Sequence, residues 1–290
     1  MRYTLIGITA FGALLMASMA WAGTGVAWVH GTSDYYGGNA MSGYWDYDIV
    51  QVGSAGNPYV VINCDHEEYM WSSRAGGCMA DQMKSFVQSN GVDDLVVQTH
   101  SNGGNVWRWV VSNPTWDADY TPATQNTRWA NLIAASSAGT PLADAVIAGN
   151  VFESALGWLL GYDNDAVRQQ QTSWMDYYNT EWLNGTSGRP SLAESAYTWV
   201  GTDVESAIWD PDSYCGGYDQ TVGLEFTQEW LASCSDGFID CTSQKAAGYF
   251  WANDYYFTED GEPLAHNQSR RDCVDFEDAL RDDINYIWDW

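Results

Sequence analysis

A serine with the surroundings of a nucleophile lies within residues 99–104 (Thr-His-Ser-Asn-Gly-Gly), directly after the apolar run 95–98 (Leu-Val-Val-Gln). A buried strand that turns sharply around a serine is the pattern of a nucleophile elbow, which raises the serine Oγ at the carboxyl end of a sheet. The usual pattern is Gly-x-Ser-x-Gly; here Thr99 replaces the first glycine and Gly103 keeps the second. The alternative is an ordinary strand-to-helix turn. Ser101 is therefore the candidate nucleophile of an acyl-transfer reaction.

Acyl transfer through a serine also needs hydrogen-bond donors for the negatively charged oxygen of the tetrahedral intermediate, and two backbone N–H groups usually supply them. One donor comes from the residue after the nucleophile, here Asn102, and the other from a loop that follows an early strand. Residues 26–32 (Val-Ala-Trp-Val-His-Gly-Thr) read as such a strand and loop. Thr32 is the candidate second donor; the alternative is a strand that merely ends in a glycine turn.

A serine nucleophile needs a nearby base, and the chain contains only four histidines. In chains with a nucleophile elbow the order is serine, acid, histidine. His30 and His66 precede Ser101, and His100 adjoins it on the strained turn, where its ring should point elsewhere. His266 is therefore the candidate base, the alternative being a surface histidine.

The candidate acid is Asp236, in residues 234–241 (Cys-Ser-Asp-Gly-Phe-Ile-Asp-Cys) upstream of His266. An acid at this point would orient the imidazole and stabilise the imidazolium. The alternative is a turn aspartate that supports Gly237. Other carboxylates compete for the same role, notably Asp210, Asp212 and Asp240.

Three further stretches join the elbow in resembling a known family. They are residues 139–144 (Gly-Thr-Pro-Leu-Ala-Asp), residues 79–95 before the elbow, and residues 236–243 around the candidate acid. Together they resemble, over residues 25–275, the secreted bacterial triacylglycerol lipases of the α/β-hydrolase superfamily. The resemblance implies an α/β-hydrolase fold: a mostly parallel sheet flanked by helices, with a helical cap. It also implies the triad Ser101, Asp236 and His266, with Thr32 and Asn102 as oxyanion donors.

The function implied is a carboxylester hydrolase of the lipase or esterase type that works through an acyl-enzyme and requires no cofactor. Its partners would be a lipid or other ester substrate and a lipid–water interface. A polyester or cutin-type hydrolase is the rival of the same class, favoured by the aromatic content of 15%. The rival of a different class is a catalytically silent α/β-hydrolase-like protein that binds aromatic or glycan ligands.

Some members of the family that this chain resembles hold a structural calcium ion near the histidine. The ion lies between an aspartate before the triad acid and an aspartate two residues after the histidine. Asp210 and Asp212 fit the first half of this pattern. The second half is not met because position 268 is glutamine, and Asp272 would have to substitute. The alternative is a solvated acidic loop.

The two ends of the chain differ in character. Residues 1–22 combine a positively charged start, an apolar stretch and a small-x-small site at 20–22, which predicts a secretory signal cleaved before Gly23. Residues 23–290 then form one domain, in which 145–195 read as a helical insertion that serves as a cap or as another core helix. No other stretch is long and apolar enough for a transmembrane anchor. We expect a secreted protein, extracellular or periplasmic.

The six cysteines bear on the compartment of the protein, and its acidic composition bears on its partners. Cysteines in an exported chain predict disulfides, and six cysteines allow about 15 pairings, among which the sequence does not choose. If the pairs close in sequence form, Cys64–Cys78 and Cys234–Cys241, they leave Cys215–Cys273. The formal charge of −27 opposes binding to nucleic acid or anionic membranes, since both need a basic surface.

Buried strands and helices alternate along the sequence. The predicted strands are 26–29, 59–62, 95–98, 132–135 and 197–200. A closing helix is predicted from apolar residues near the carboxyl terminus, namely Val274, Ala279, Leu280, Ile284 and Ile287.

Overall fold

A parallel six-stranded sheet forms the centre of the protein, in a computed structural model that describes residues 23–33, 39–149, 164–207, 209–210 and 212–288. All five strand pairs are parallel, in the spatial order β2-β1-β3-β4-β5-β6. The predicted α/β architecture is confirmed. The strands are β1 (Gly23–Val29), β2 (Tyr59–Val61), β3 (Val92–His100), β4 (Thr127–Ile133), β5 (Ser195–Val200) and β6 (Tyr249–Asn253).

Helices connect the strands and lie on both faces of the sheet. Those up to β4 are α1 (Ala40–Gly43), α2 (Tyr47–Gly53), α3 (Cys78–Asn90), α4 (Asn102–Ser112) and α5 (Tyr120–Thr124), with a π-helical turn at Ser73–Gly77. The described helices after β4 are α6 (Pro141–Ile147), α7 (Asp165–Gln169), α8 (Thr172–Glu181), α9 (Tyr218–Gln228), α10 (Cys241–Gln244), α11 (Asp254–Phe257) and α12 (Phe276–Trp288). Short 3₁₀ turns lie at Asp212–Tyr214, Glu259–Gly261 and Gln268–Arg270.

Four strands, β1, β3, β4 and β5, contribute alternate side chains to two apolar cores, because successive strand residues point to opposite faces. In β3, Leu95 and Val97 pack in the core under α3 and α4, whereas Val96 packs in the core under α2 and α12. These four strands are therefore buried on both sides, as strands of parallel sheets usually are.

The order of the strands produces a crevice at their carboxyl ends. β1 is followed by α2 on one face, while its neighbour β3 is followed by α4 on the other face. Where connections leave adjacent strands toward opposite faces, the loops diverge and open a ligand-binding crevice. Ser101 follows β3 and the 30–33 loop follows β1, so both candidate segments border this crevice.

The structure corrects two of the strand predictions. β4 ends at Ile133 because Ala134 has a left-handed φ of 47°, and its start was hidden by polar residues such as Asn131, which is buried and donates to Asp283 Oδ2 at 2.9 Å. β6 was missed because it is an edge strand whose rings, Tyr249 and Phe250, are exposed and give no buried alternation. The closing helix is present as α12, although Val274 precedes it.

Parts of the predicted domain organisation lie outside the described residues. The signal segment 1–22 does, and so do residues 150–163 of the predicted cap. In the described remainder of the cap, α8 buries Met175 and Tyr178 in the core beneath α3 and α4. Among the described residues, no helix is long and apolar enough to cross a membrane.

Three disulfides tie together loops and helix ends, and they are the pairs put forward from the sequence. Cys64–Cys78 joins the loop after β2 to the start of α3. Cys215–Cys273 joins two loops 58 residues apart. Cys234–Cys241 closes a small loop around Asp236, and its two cysteines are 7 positions apart in the sequence.

Two buried histidines, His30 and His66, support the loop that follows β1. Their rings stack at a centroid distance of 4.1 Å, and both are fully buried. His66 Nδ1 is 2.7 Å from the carbonyl oxygen of His30, and His30 Nδ1 is 2.8 Å from that of Gly31. Both rings thus donate to carbonyls of the turn. Burial lowers the pKa of His66 from 6.5 to about 4 and lowers the pKa of His30 as well.

We expect His66 to make the protein less stable in acid. The folded state resists protonation of His66, so its contribution to the unfolding free energy is present above pH 6.5 and is lost as the pH falls toward 4. Denaturant titrations at pH 7 and at about pH 4.5 measure the unfolding free energy. Between these two pH values it should fall by about 2–3 kcal/mol more in the wild type than in a His66→Gln variant. If the unfolding free energies of the wild type and the variant fell by the same amount, this assignment would be contradicted.

Candidate active site

Ser101 is held in a backbone conformation that is rare for a residue with a side chain. β3 ends at His100 and α4 begins at Asn102, and the serine between them has φ 55° and ψ −132°. Such outliers persist only when the surroundings enforce them, and they cluster at functional sites. The tight turn lies at the carboxyl end of β3, and Ser101 is 4% exposed there.

Glycines beside the turn allow two segments to approach each other closely. A Cβ on Gly103 would collide with the carbonyl oxygen of His30, so the start of α4 packs directly on the end of β1. A Cβ on Gly31 would collide with the Tyr44 hydroxyl and lie 2.8 Å from Ser101 Cβ. Both positions therefore require glycine for steric reasons.

The structure also explains how the turn accommodates Thr99 in place of the usual glycine. Its Oγ1 would lie 3.3 Å from a Cβ at position 104, where the chain has Gly104. The same hydroxyl donates to the carbonyl oxygen of Asn131 at 3.0 Å and is thereby satisfied in the interior. The absence of a side chain at Gly104 thus leaves room for the side chain of Thr99.

The three residues proposed from the sequence as a triad are brought together by three different loops. Ser101 Oγ lies 3.1 Å from His266 Nε2, and His266 Nδ1 lies 2.8 Å from Asp236 Oδ2. Asp236 is fully buried, whereas 12% of the His266 side chain is exposed. These contacts have the geometry of a nucleophile, its base and the group that orients the base.

Backbone groups hold the Asp236 carboxylate in place. Its Oδ1 accepts hydrogen bonds from the amides of Phe238 and Ile239 at 2.9 and 2.7 Å, which leaves Oδ2 for His266. The loop is closed by the Cys234–Cys241 disulfide and by the amide of Cys241, which donates to the carbonyl oxygen of Cys234 at 2.9 Å.

The competing carboxylates have other partners. Asp240 accepts from the amide of Ala232 at 2.7 Å. Asp210 accepts from the amide of Asp212 at 3.0 Å.

The two proposed oxyanion donors are fixed by consecutive glutamines at the end of α7. Gln169 Nε2 donates to Asn102 Oδ1 at 3.1 Å, and Gln170 Nε2 donates to Thr32 Oγ1 at 3.1 Å. Asn102 is the first residue of α4, so its amide is one of those a helix leaves without an intrahelical partner. Neither glutamine was predicted from the sequence, where the only signal is a run of three amide side chains at 169–171.

His100 supports the loop that carries His266. Its Nε2 is 3.0 Å from the carbonyl oxygen of His266 and 2.8 Å from Ser269 Oγ. Its Nδ1 is 2.5 Å from the Tyr44 hydroxyl, so the consistent tautomer carries the proton on Nε2. Burial is the main cause that lowers the pKa of His100, and the proximity of His266 is the second. Both favour this neutral form.

The calcium candidates are not brought together as proposed. Asp210 lies in a group with Glu205 and Glu262, whose carboxylate oxygens all fall within 4.8 Å of one another. Asp272 has a different partner, because its carboxyl is hydrogen-bonded to Glu277; burial and then this contact raise the pKa of Glu277 to about 8.

Asp212 also stands outside the group of three carboxylates. Its carbonyl oxygen accepts a hydrogen bond from Gln268 Nε2 at 3.0 Å. Gln268 therefore bridges two loops at the position where the pattern expects an aspartate.

Comparison with known proteins identifies the fold. No protein-family model matches the chain, and no curated protein matches it by sequence. A lipase from Bacillus licheniformis in mature form superposes with a TM-score of 0.62 at 15% identity, over 92% of this chain and 90% of that one.

Two further solved structures are similar to this chain at lower TM-scores. A thermostable esterase from Pseudomonas putida gives a TM-score of 0.44 at 14% identity, over 92% of this chain and 74% of that one. An extracellular α/β-hydrolase from a Paenibacillus species gives 0.38 at 9% identity, over 89% and 97%. The similarity to the Bacillus licheniformis lipase shows that the protein has the α/β-hydrolase fold.

We expect a Gly31→Ala substitution to impair turnover far more than folding. The added Cβ would press on Ser101 Cβ and on the Tyr44 hydroxyl, shifting the nucleophile and the loop that carries Thr32. Small misplacements of reacting groups cost about 100-fold in rate, and kcat/KM on a p-nitrophenyl ester measures the loss. Gly77→Ala is the matched control, because its Cβ would meet only ordinary contacts at 3.7 Å. Equal activity of the two variants would contradict the steric argument.

The Cys234–Cys241 disulfide should matter more for geometry than for global stability. Closing so short a loop adds about 2–3 kcal/mol in the chain-entropy model, but the loop carries the carboxylate that contacts His266. We expect a Cys234→Ser/Cys241→Ser variant to lose turnover at a temperature where circular dichroism shows it folded. A Cys64→Ser/Cys78→Ser variant serves as the control. Retention of full wild-type turnover by the first variant would refute the expected effect on geometry.

Proposed function

We propose that this protein is a secreted serine carboxylester hydrolase of the lipase or esterase type. The observation that carries the proposal is the series of contacts from Ser101 Oγ to His266 Nε2 and from His266 Nδ1 to Asp236, built on a serine with a strained backbone. The solved structures similar to this chain include bacterial lipases and esterases, which supports an ester substrate. This complete series disfavours the alternative of a catalytically silent binding protein.

The proposed reaction uses groups of this chain alone. Ser101 Oγ attacks the ester carbonyl while His266 Nε2 accepts the hydroxyl proton, and Asp236 stabilises the resulting imidazolium. The oxyanion accepts hydrogen bonds from the backbone amides of Asn102 and Thr32. His266 then passes the proton to the leaving alcohol. A water molecule, deprotonated by His266, hydrolyses the acyl-enzyme and restores Ser101.

The disulfides indicate the compartment in which the protein would work, and its charge indicates the substrates it would accept. Three disulfides fit an oxidising compartment outside the cytoplasm. A formal charge of −27 favours neutral ester substrates, including those at a lipid–water interface, over nucleic acid. A structural calcium ion, if bound, would be held by Glu205, Asp210 and Glu262, whose carboxylates suit a hard cation.

The rival within the same class is a polyester or cutin-type hydrolase. A cavity lined largely by aromatic side chains favours this reading over a purely aliphatic lipase. Hydrolysis of tributyrin, triolein and a polyester film distinguishes the candidates, because they share the chemistry and differ only in the group that must be bound.

A fluorophosphonate probe should label Ser101 and abolish hydrolysis of p-nitrophenyl esters. Ser101→Ala and His266→Ala should each lower kcat by about 10⁴-fold or more, with no further loss in the double variant, because the two groups act as one unit. Ser89→Ala, at an exposed serine of α3, is the control and should keep wild-type activity. Mass mapping of the label to Ser136, Ser137 or Ser243 would overturn the assignment.

A further inference from the structure

A second feature of the described structure is a cavity of about 560 Å³ lined by eight aromatic side chains. The rings come from four parts of the chain: the loop after β2, helix α4, the loop after α4, and α8 with the residue that follows it. Trp71, Trp109, Trp116 and Trp174 represent these four parts. Volume and lining match a ligand pocket, in which apolar walls carry a small number of polar groups.

The rings of this aromatic pocket form a continuous series of contacts. Trp71 stacks in parallel on Tyr69 at 4.6 Å and meets the edge of Tyr178 at 5.3 Å. Trp71 also lies 5.4 Å from Trp109, which in turn meets the edge of Trp116 at 5.1 Å. Stacked and edge-to-face pairs at these distances stabilise each other, so the pocket is assembled before a ligand enters.

Arg108 locks two walls of the pocket together. Its buried guanidinium donates to the carbonyl oxygen of Asn184 at 3.0 Å and to Asn179 Oδ1 on α8 at 2.8 Å. The helix that carries Trp109 is thereby fixed to the helix that carries Trp174. A rigid site loses less conformational freedom on binding than a mobile one.

Several of the rings face solvent although they are large and apolar. Trp116 is 53% exposed and Trp174 is 48% exposed. Exposed apolar surface of this kind marks binding sites. The polar members of the lining are few: beside tyrosine hydroxyls, the pocket offers Gln171 and Arg168, and Arg168 lies 3.4 Å from Asp165, which balances its charge.

This lining selects among ligands. Among the described residues that line the pocket there is no carboxylate, so the wall offers a cationic guest no counter-charge, although cations are the usual guests of aromatic cages. A sugar would need many polar partners, whereas most of the wall is aromatic carbon. A neutral aromatic ring matches the wall, because it can stack on indole and phenol faces.

The pocket and the candidate oxyanion residues share one segment of chain. Gln169 and Gln170 bind Asn102 and Thr32, while their neighbours Arg168 and Gln171 line the pocket. Among the described residues, Ser101, Asp236 and His266 do not line it. The pocket is thus separate from Ser101, and residues 168–171 connect it to the two residues proposed as oxyanion donors.

We propose that the aromatic pocket binds a neutral aromatic ring carried by the ester that Ser101 cleaves. This inference rests on the proposed function for its second half, the identity of the ligand as substrate. Its first half, the binding of a ring, stands on the pocket alone. The experiment therefore measures binding and turnover separately.

Binding is measured by calorimetry with Ser101→Ala protein, using ethyl benzoate and its saturated counterpart ethyl cyclohexanecarboxylate. We expect tighter binding of the benzoate, and about fivefold weaker binding after Trp174→Ala or Trp116→Ala. Trp174→Phe should retain most of the affinity because it keeps a ring. Trp251→Ala on β6, a tryptophan of similar exposure at 43%, is the matched control. Equal affinity for the two esters, or loss of xylohexaose binding in Trp174→Ala with unchanged benzoate binding, would overturn the proposal.

Turnover is measured with p-nitrophenyl 4-phenylbutanoate and p-nitrophenyl 4-cyclohexylbutanoate. The wild type should prefer the phenyl ester, and Trp174→Ala should remove this preference. Trp251→Ala, which lies outside the pocket, should keep both the preference and the wild-type kcat/KM on p-nitrophenyl acetate. Hydrolysis of the acetate without any phenyl preference would overturn the role of the ring in the substrate. Absence of hydrolysis of all three esters would instead overturn the proposed function, and the calorimetry would still decide whether the pocket binds a ring.

Discussion

Ser101 occupies a backbone conformation that costs a residue with a side chain about 1–3 kcal/mol, and the packing around it must supply that energy. The sheet does so by leading β3 straight into α4 while the end of β1 presses on the same turn. Gly31 and Gly103 are the contact points. A Cβ on Gly103 would collide with the carbonyl oxygen of His30, and a Cβ on Gly31 would collide with the Tyr44 hydroxyl and Ser101 Cβ. The position of Ser101 thus depends on parallel strands meeting at one edge and on two residues that lack side chains.

Buried polar side chains around the crevice act mainly on the backbone. His30 and His66 bind carbonyl oxygens of the loop after β1, and His100 binds the carbonyl oxygen of His266. Because burial favours the neutral form of all three rings, they can serve as donors without placing charge beneath the site. A preorganised arrangement of this kind stabilises developing charge without reorganising during the reaction.

The sequence was sufficient to predict the α/β fold and to propose the residues that meet in the crevice, because both leave local signatures. The buried strand before Ser101 is such a local signature. The small number of histidines in the chain then narrowed the choice of the base to His266. The supporting contacts of Gln169, Gln170 and His66 could not be predicted, since they join segments far apart in sequence and have no periodicity. Strand β6 was missed for a related reason: an edge strand with exposed rings lacks the burial pattern by which strands are recognised.

The crystal structure of the protein inactivated by a neutral alkyl p-nitrophenyl phosphonate tests the central claim most directly. The account predicts a bond from phosphorus to Ser101 Oγ, with the serine still at positive φ. It also predicts the phosphoryl oxygen about 2.7–3.1 Å from the backbone nitrogens of Asn102 and Thr32. An adduct on another residue, or a phosphoryl oxygen directed away from both amides, would contradict it.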